Sequence, residues 1–302
     1  MAADLTIGIS GAPEATTGSG SAAAVRACRQ LGIDALELAW VHSVSVTPEG
    51  GARIRAAAAE HGVRLSVHAP YYINLNSPEP DKVAASIDRI VRAGRGAAWV
   101  GARDVVLHLG YYHADDRAAV YGRVRDRLRE AADRLAAADD VDAGAVCLRP
   151  ELMGRASQFG DLDEVLRLCA DVPGTRPCID IAHWHARTGA WNDHEAFAAL
   201  FDAVGDALGP GALRDLHVHA SGIAYGPLGE KRHLAFADAD LDVRAFLEVA
   251  RDRGVAGTVI VESPAREADT RWLRDLWRQV AAPGDGARDA ERGRAADEGA
   301  GR

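Results

Sequence analysis

The chain has 302 residues, 48% hydrophobic and 26% charged, with a formal net charge of −9. That length and balance suit one large α/β domain or two ordinary ones, and they exclude a disordered or membrane composition. An acidic surface also opposes nucleic-acid binding unless arginines gather at the site, because phosphate contacts dominate that affinity.

The start, MAADLTIGIS, lacks a basic, apolar export signal and reads as a first strand. No apolar run approaches the roughly 20 residues needed to span a bilayer, so no membrane partner and a cytoplasmic location are expected. SGAPEATTGSGSAAA follows; it lacks the GxGxxG spacing of a dinucleotide turn and reads as a loop. Further strands are predicted at Ala35–Leu38, Arg64–His68, Asp104–His108, Ala145–Pro150, Arg176–Asp180, Leu213–His219 and Thr258–Glu262, after Leu5–Ser10. Between them Asp81–Val100, Arg117–Ala138, Asp161–Ala170, His194–Leu208, Asp242–Arg253 and Thr270–Val280 carry apolar residues at helical spacing.

Alternating strands and helices imply a parallel sheet, and this number of units has the size of a (β/α)8 TIM barrel. A doubly wound sheet is the competing layout. The barrel is expected over residues 1–282. The end, PGDGARDAERGRAADEGAGR, has no apolar residue larger than alanine and is expected to be a disordered tail over residues 283–302. The four cysteines form no CxxC pair and read as free thiols.

In an α/β barrel the active site lies at the C-terminal ends of the strands. Here those ends bring His68, His108, Glu151, Asp180, His217 with His219, and Glu262, with His183 and His233 just beyond. Carboxylates gathered at a dry rim repel one another, and a cation removes that repulsion. Imidazoles with carboxylates are the ligands that Zn²⁺, Mn²⁺ or Fe²⁺ accept. Glu151, Asp180, His217 and Glu262 could fill one inner shell. His68 and His108 could serve a second with Glu151 as a bridge, and His183 and His233 a third. His219 lies two residues beyond His217 and points the same way, so one of the two reads as a supporting partner of the other. Trp99, Trp272 and Trp277 read as helix packing, and Tyr71 and Tyr72 as rim packing or a wedge for a base or sugar.

The stretches SVHAPYYINL, VVLHLG, RPELMGRASQFGDLDEVLRLC, RPCIDIAHWHARTG, LHVHASGIAYGPLGEKRHL and VIVESP resemble the endonuclease IV family of zinc-dependent abasic-site nucleases, within the xylose isomerase-like barrels. The resemblance implies two or three zinc ions, with manganese as an alternative. It implies His68, His108, Glu151, Asp180, His183, His217, His233 and Glu262 as ligands, Glu151 and Glu262 as catalytic residues, and Tyr71 beside the substrate. It further implies hydrolysis of DNA 5′ to abasic sites, in base excision repair; no obligate protein partner is evident in the sequence. The family's third site uses an aspartate where this chain has Lys231, and Glu230 is the alternative donor. The strand-two loop, LAWVHSVSVTPEGG, has no cation before Arg53, and Glu37 is expected to add negative charge to the rim. The other reading is a sugar isomerase or epimerase of the same superfamily, with one ion on the Glu–Asp–His–Glu set.

Overall fold

A computed structural model describes residues 3–142, 144–189 and 192–282; the expected tail at 283–302 lies outside them. In chain order the elements are β1 (Asp4–Ser10), α1 (Ser21–Leu31), β2 (Ala35–Ala39), α2 (Pro48–His61), β3 (Arg64–His68), α3 (Pro80–Val100), β4 (Asp104–Leu107), α4 (Arg117–Ala136) and β5 (Cys147–Pro150). Then come α5 (Leu162–Asp171), β6 (Cys178–Asp180), α6 (Ile181–Thr188), α7 (His194–Leu208), β7 (Leu216–Ala220), β8 (Gly222–Gly226), β9 (Gly229–Leu234), α8 (Val243–Asp252), β10 (Ala256–Val261) and α9 (Arg266–Ala281).

Eight strands form one parallel sheet in the order β5-β4-β3-β2-β1-β10-β7-β6. The two edges, β5 and β6, are joined by the parallel bridges Leu148↔Thr175 and Glu151↔Cys178, which nearly close the sheet into a (β/α)8 TIM barrel. All eight expected strands are present, and the ends differ by a few residues. The stretch expected to be loop after β1 enters α1 at Ser21. The loop expected after β7 contains the antiparallel hairpin β8–β9.

Local chemistry sets the ends of the helices. Asp161 and Glu164 form a reciprocal capping box at α5, and α1, α2 and α3 each stop at a left-handed glycine. Apolar stripes such as Phe197, Leu200, Phe201 and Val204 on α7 pack inward, while inward residues of the strands alternate with outward ones. Trp277 is buried as expected, and Trp99 binds Asp140 through its indole N–H. Trp272 instead lies 47% exposed against Phe236. No helix of the described residues is long and apolar enough to cross a membrane.

Gly229 seats the hairpin against the barrel mouth. Its φ is +90°, and an added Cβ would lie 2.1 Å from the Gly154 carbonyl oxygen. Only glycine fits there. The close approach lets the Glu230 N–H donate to Gly154 O at 3.1 Å, which delivers the Glu230 side chain to the mouth.

Candidate metal centre

Within 4.8 Å of one another stand donor atoms of His68, His108 and Glu151; of Glu151, Asp180, His219 and Glu262; and of Asp180, His183 and His233. Glu151 joins the first group to the second, and Asp180 joins the second to the third. His68 Nε2 and His108 Nε2 approach Glu151 Oε2 at 3.3 and 2.8 Å. His183 Nε2 is 3.3 Å from His233 Nε2.

Each donor is delivered by backbone chemistry. His68 ends β3, and Glu151 and Glu262 directly follow β5 and β10. Asp180 ends β6 and is also the N-cap of α6, where its Oδ1 accepts from the His183 N–H at 2.7 Å. The cap leaves Asp180 Oδ2 buried without a hydrogen bond, 3.2 Å from His183 Nδ1, which is directed at the Leu152 carbonyl. A buried carboxylate oxygen that makes no hydrogen bond among imidazoles is what a cation would satisfy. The donor set therefore fits zinc or a similar divalent metal.

The β7 ligand differs from the sequence expectation. His217 and His219 both point inward, since alternate residues share a face. Register separates them: His219 lies level with Asp180, and His217 lies level with Cys178, one layer deeper. His219 Nδ1 faces Glu151 Oε1 at 3.3 Å and Glu262 Oε2 at 3.5 Å. His217 is grouped instead with Cys178 and His219, and its Nε2 lies 3.0 Å from Glu37 Oε2. The structure thus brings His219 rather than His217 to Glu151, Asp180 and Glu262.

Glu37 is likewise not on the rim. Strand β2 runs two residues past it, so the side chain is fully buried inside the barrel, between His217 and His219. Glu230 stands with the third group, its Oε2 3.5 Å from His183 Nε2, while Lys231 is exposed. His185, unassigned in the sequence, is buried against Asp240 and Tyr225 away from these groups.

The mouth is a cavity of about 420 Å³ lined by His68, Tyr71, His108, Tyr111, Arg155 and Glu230, among others. Tyr71 is 49% exposed, with its ring edge-on to His68 and stacked on His108. A larger cavity of about 700 Å³ opens at the opposite, N-terminal end of the barrel. Its Arg103 pairs with Asp215, and its Arg55 donates to the Ala98 and Trp99 carbonyls.

Charge in the mouth is tightly coupled. Burial would lower the His68 pKa, but the hydrogen bond and charge of Glu151 hold it up at about 9. Burial would lower His183 too, yet Asp180 and then Glu151 keep it at about 10. Burial would raise Glu151, but His108 and its hydrogen-bonded imidazoles hold it well below the usual carboxylate range. Burial and Glu151 push Asp180 up. Burial, Glu262 and Glu151 raise Tyr71 to about 12, so its hydroxyl stays protonated.

A family model for xylose isomerase-like TIM barrels matches residues 25–281. An uncharacterized protein of Methanocaldococcus jannaschii is 36% identical over 258 residues, 85% of this chain and 92% of that one. A protein of Symbiobacterium thermophilum named "Probable endonuclease 4" is 30% identical over 230 residues, 74% of this chain and 79% of that one. Among solved structures, endonuclease IV from Thermus thermophilus superposes with a TM-score of 0.69 at 19% identity, over 91% of this chain and 99% of that one. A D-tagatose 3-epimerase-like protein superposes with 0.67 at 17% identity, over 92% and 98%. The nearly closed parallel barrel, the donors gathered at the C-terminal ends of its strands and the match along most of the chain agree: this protein belongs to the xylose isomerase-like TIM barrel family.

Proposed function

We propose that the protein is a metal-dependent phosphodiesterase of the endonuclease IV type, cleaving DNA 5′ to abasic sites. One observation carries this reading: three donor groups run together through shared Glu151 and Asp180. A barrel that holds one ion needs only the middle group. His68, His108, His183 and His233 are then surplus, whereas a centre of two or three ions uses them all. The relatives named as probable endonuclease 4 agree with it.

The bound metals would polarise a phosphoryl oxygen and lower the pKa of water. The chain's own residues do the rest. Glu151 and Glu262 form the floor, where their carboxylate oxygens would orient the attacking water. Tyr71 stands over His108 as a wall on which a sugar or base can stack. Arg155 lines the cavity, and Lys231 and Arg232 lie exposed on the hairpin that borders it. These cations offset the lack of basic residues in the strand-two loop and give phosphates a place to bind.

The test has two parts. Elemental mass spectrometry of protein purified without added metal should give two or three zinc per chain. A duplex carrying one abasic site should be nicked on its 5′ side, and chelation should stop the reaction. One ion per chain, with no nicking, favours the second reading: a sugar epimerase built on Glu151, Asp180, His219 and Glu262 alone. The D-tagatose 3-epimerase-like fold keeps that reading in view. Turnover of ketoses with manganese would establish it.

A further inference from the structure

The interior of an α/β barrel is ordinarily filled by layers of branched apolar side chains. In this chain one position of that interior holds Glu37, with no exposed surface. A carboxyl group deep in a barrel is costly unless its neighbours answer it.

Three neighbours do. Ser66, level with Glu37 on the next strand, donates its hydroxyl to Oε2 at 2.9 Å. His217 Nε2 lies 3.0 Å from the same oxygen. His219 Nε2 lies 3.1 Å from Oε1, at an angle that leaves both atoms without a hydrogen bond of good geometry. The His219 ring therefore spans two environments. Nδ1 faces Glu151 and Glu262, and Nε2 faces Glu37.

We propose that Glu37 is a positioning residue for the metal centre: its carboxylate accepts a hydrogen bond from the Nε2–H of His219, which leaves the Nδ1 lone pair on the side of Glu151 and Glu262, where a metal shared with those carboxylates would be held, and Glu37 is itself held by His217 and Ser66. A neutral imidazole has one N–H and one lone pair, and the partner of the first fixes the direction of the second. A small rotation of the His219 ring completes the bond that already spans 3.1 Å. His217 thereby acts through Glu37 and not on a metal.

This inference rests on the metal-binding reading above, and the experiment separates the two. Zinc affinity is measured by competition with a chromophoric chelator for the wild-type chain, Glu37→Gln and Glu37→Asp. Cobalt(II) spectra of the same proteins report the geometry of the ligand set. Glu37→Gln removes the charge, and Glu37→Asp keeps the charge while moving it one methylene from His219, so the fold can be retained even if the amide cannot be accommodated. Both should weaken one zinc site by about 10–100-fold, the range for lost outer-shell carboxylates. Both should also alter the cobalt spectrum, which loss of fold stability alone would not do. Glu37→Asp with unchanged zinc affinity and an unchanged cobalt spectrum overturns the positioning role and leaves the metal centre intact. A wild-type chain that binds neither metal overturns both readings.

Discussion

His219 lies two residues beyond His217 on β7, and that step carries the strand from the level of Cys178 to the level of Asp180, beside Glu151 and Glu262. The two histidines should behave differently when removed. His219→Ala should lose one ion per chain at saturating zinc. His217→Ala should keep the full number yet unfold more easily, because Glu37 is left buried with one partner fewer. The expected loss is about 2–4 kcal/mol in the presence of chelator. Elemental analysis and urea titration read the two effects; equal metal loss in both variants contradicts the assignment.

Arg149 is fully buried, with Nε 2.6 Å from Asp104 Oδ1 and Nη2 3.2 Å from Asp215 Oδ1. Arg149→Met keeps much of the volume and removes the charge. It leaves two carboxylates without their shared partner, and breaking a buried pair typically costs about 3–5 kcal/mol. Asp215 keeps Arg103 and Arg176, which places the expected loss near the lower end, about 3 kcal/mol. The midpoint of denaturant unfolding is the measurement.

The metal-free protein should lose stability in alkali. His68 and His183 are held at about 9 and about 10, above their unfolded value of about 6.5. Their contribution is fully present below that unfolded value and disappears as pH rises through 9 to 10. Chelated protein should therefore melt lower at about pH 10 than at about pH 7. Zinc must displace the same protons, so binding near neutrality should release them and tighten as pH rises. Calorimetry in buffers of different ionisation enthalpy counts the protons, and a count of zero contradicts the prediction.

Lys231→Ala and Arg232→Ala should weaken binding of abasic duplex while leaving metal content unchanged. Each lost phosphate contact should reduce the slope of log affinity against log salt by about 1. Nicking assays across a salt series would show this as a raised KM, with kcat nearly constant. Slopes unchanged from the wild type would move DNA off the hairpin.

Much of the site is legible in the sequence, because a parallel barrel turns strand ends into neighbours. His68, His108, Glu151, Asp180, His183, His233 and Glu262, read as lying at or just beyond the strand ends, stand together in groups of donor atoms. The choice between His217 and His219 is not legible, since both share an inward face and only pairing with β6 sets their depth. Glu37 is misplaced for a related reason: β2 continues to Ala39, so the residue lies within the strand and not at its end. The β8–β9 hairpin left a usable signal, short runs on either side of Gly226 and Gly229. Its glycines and its sharp seat on Gly154 disguise it as loop.

The near-closure of the sheet has its own consequence. Where β5 meets β6 the backbone bonds are few: Leu148 N–H to Gly174 O, Arg176 N–H to Leu148 O and Leu152 N–H to Cys178 O. Glu151 and Asp180 stand on opposite banks of that seam. An ion shared between them would be a clasp across the weakest join of the barrel. Cofactor loading and shape retention then become one event, and a chain stripped of metal should begin to open there, its Leu152 and Arg176 amides exchanging with solvent ahead of those in β1 and β10.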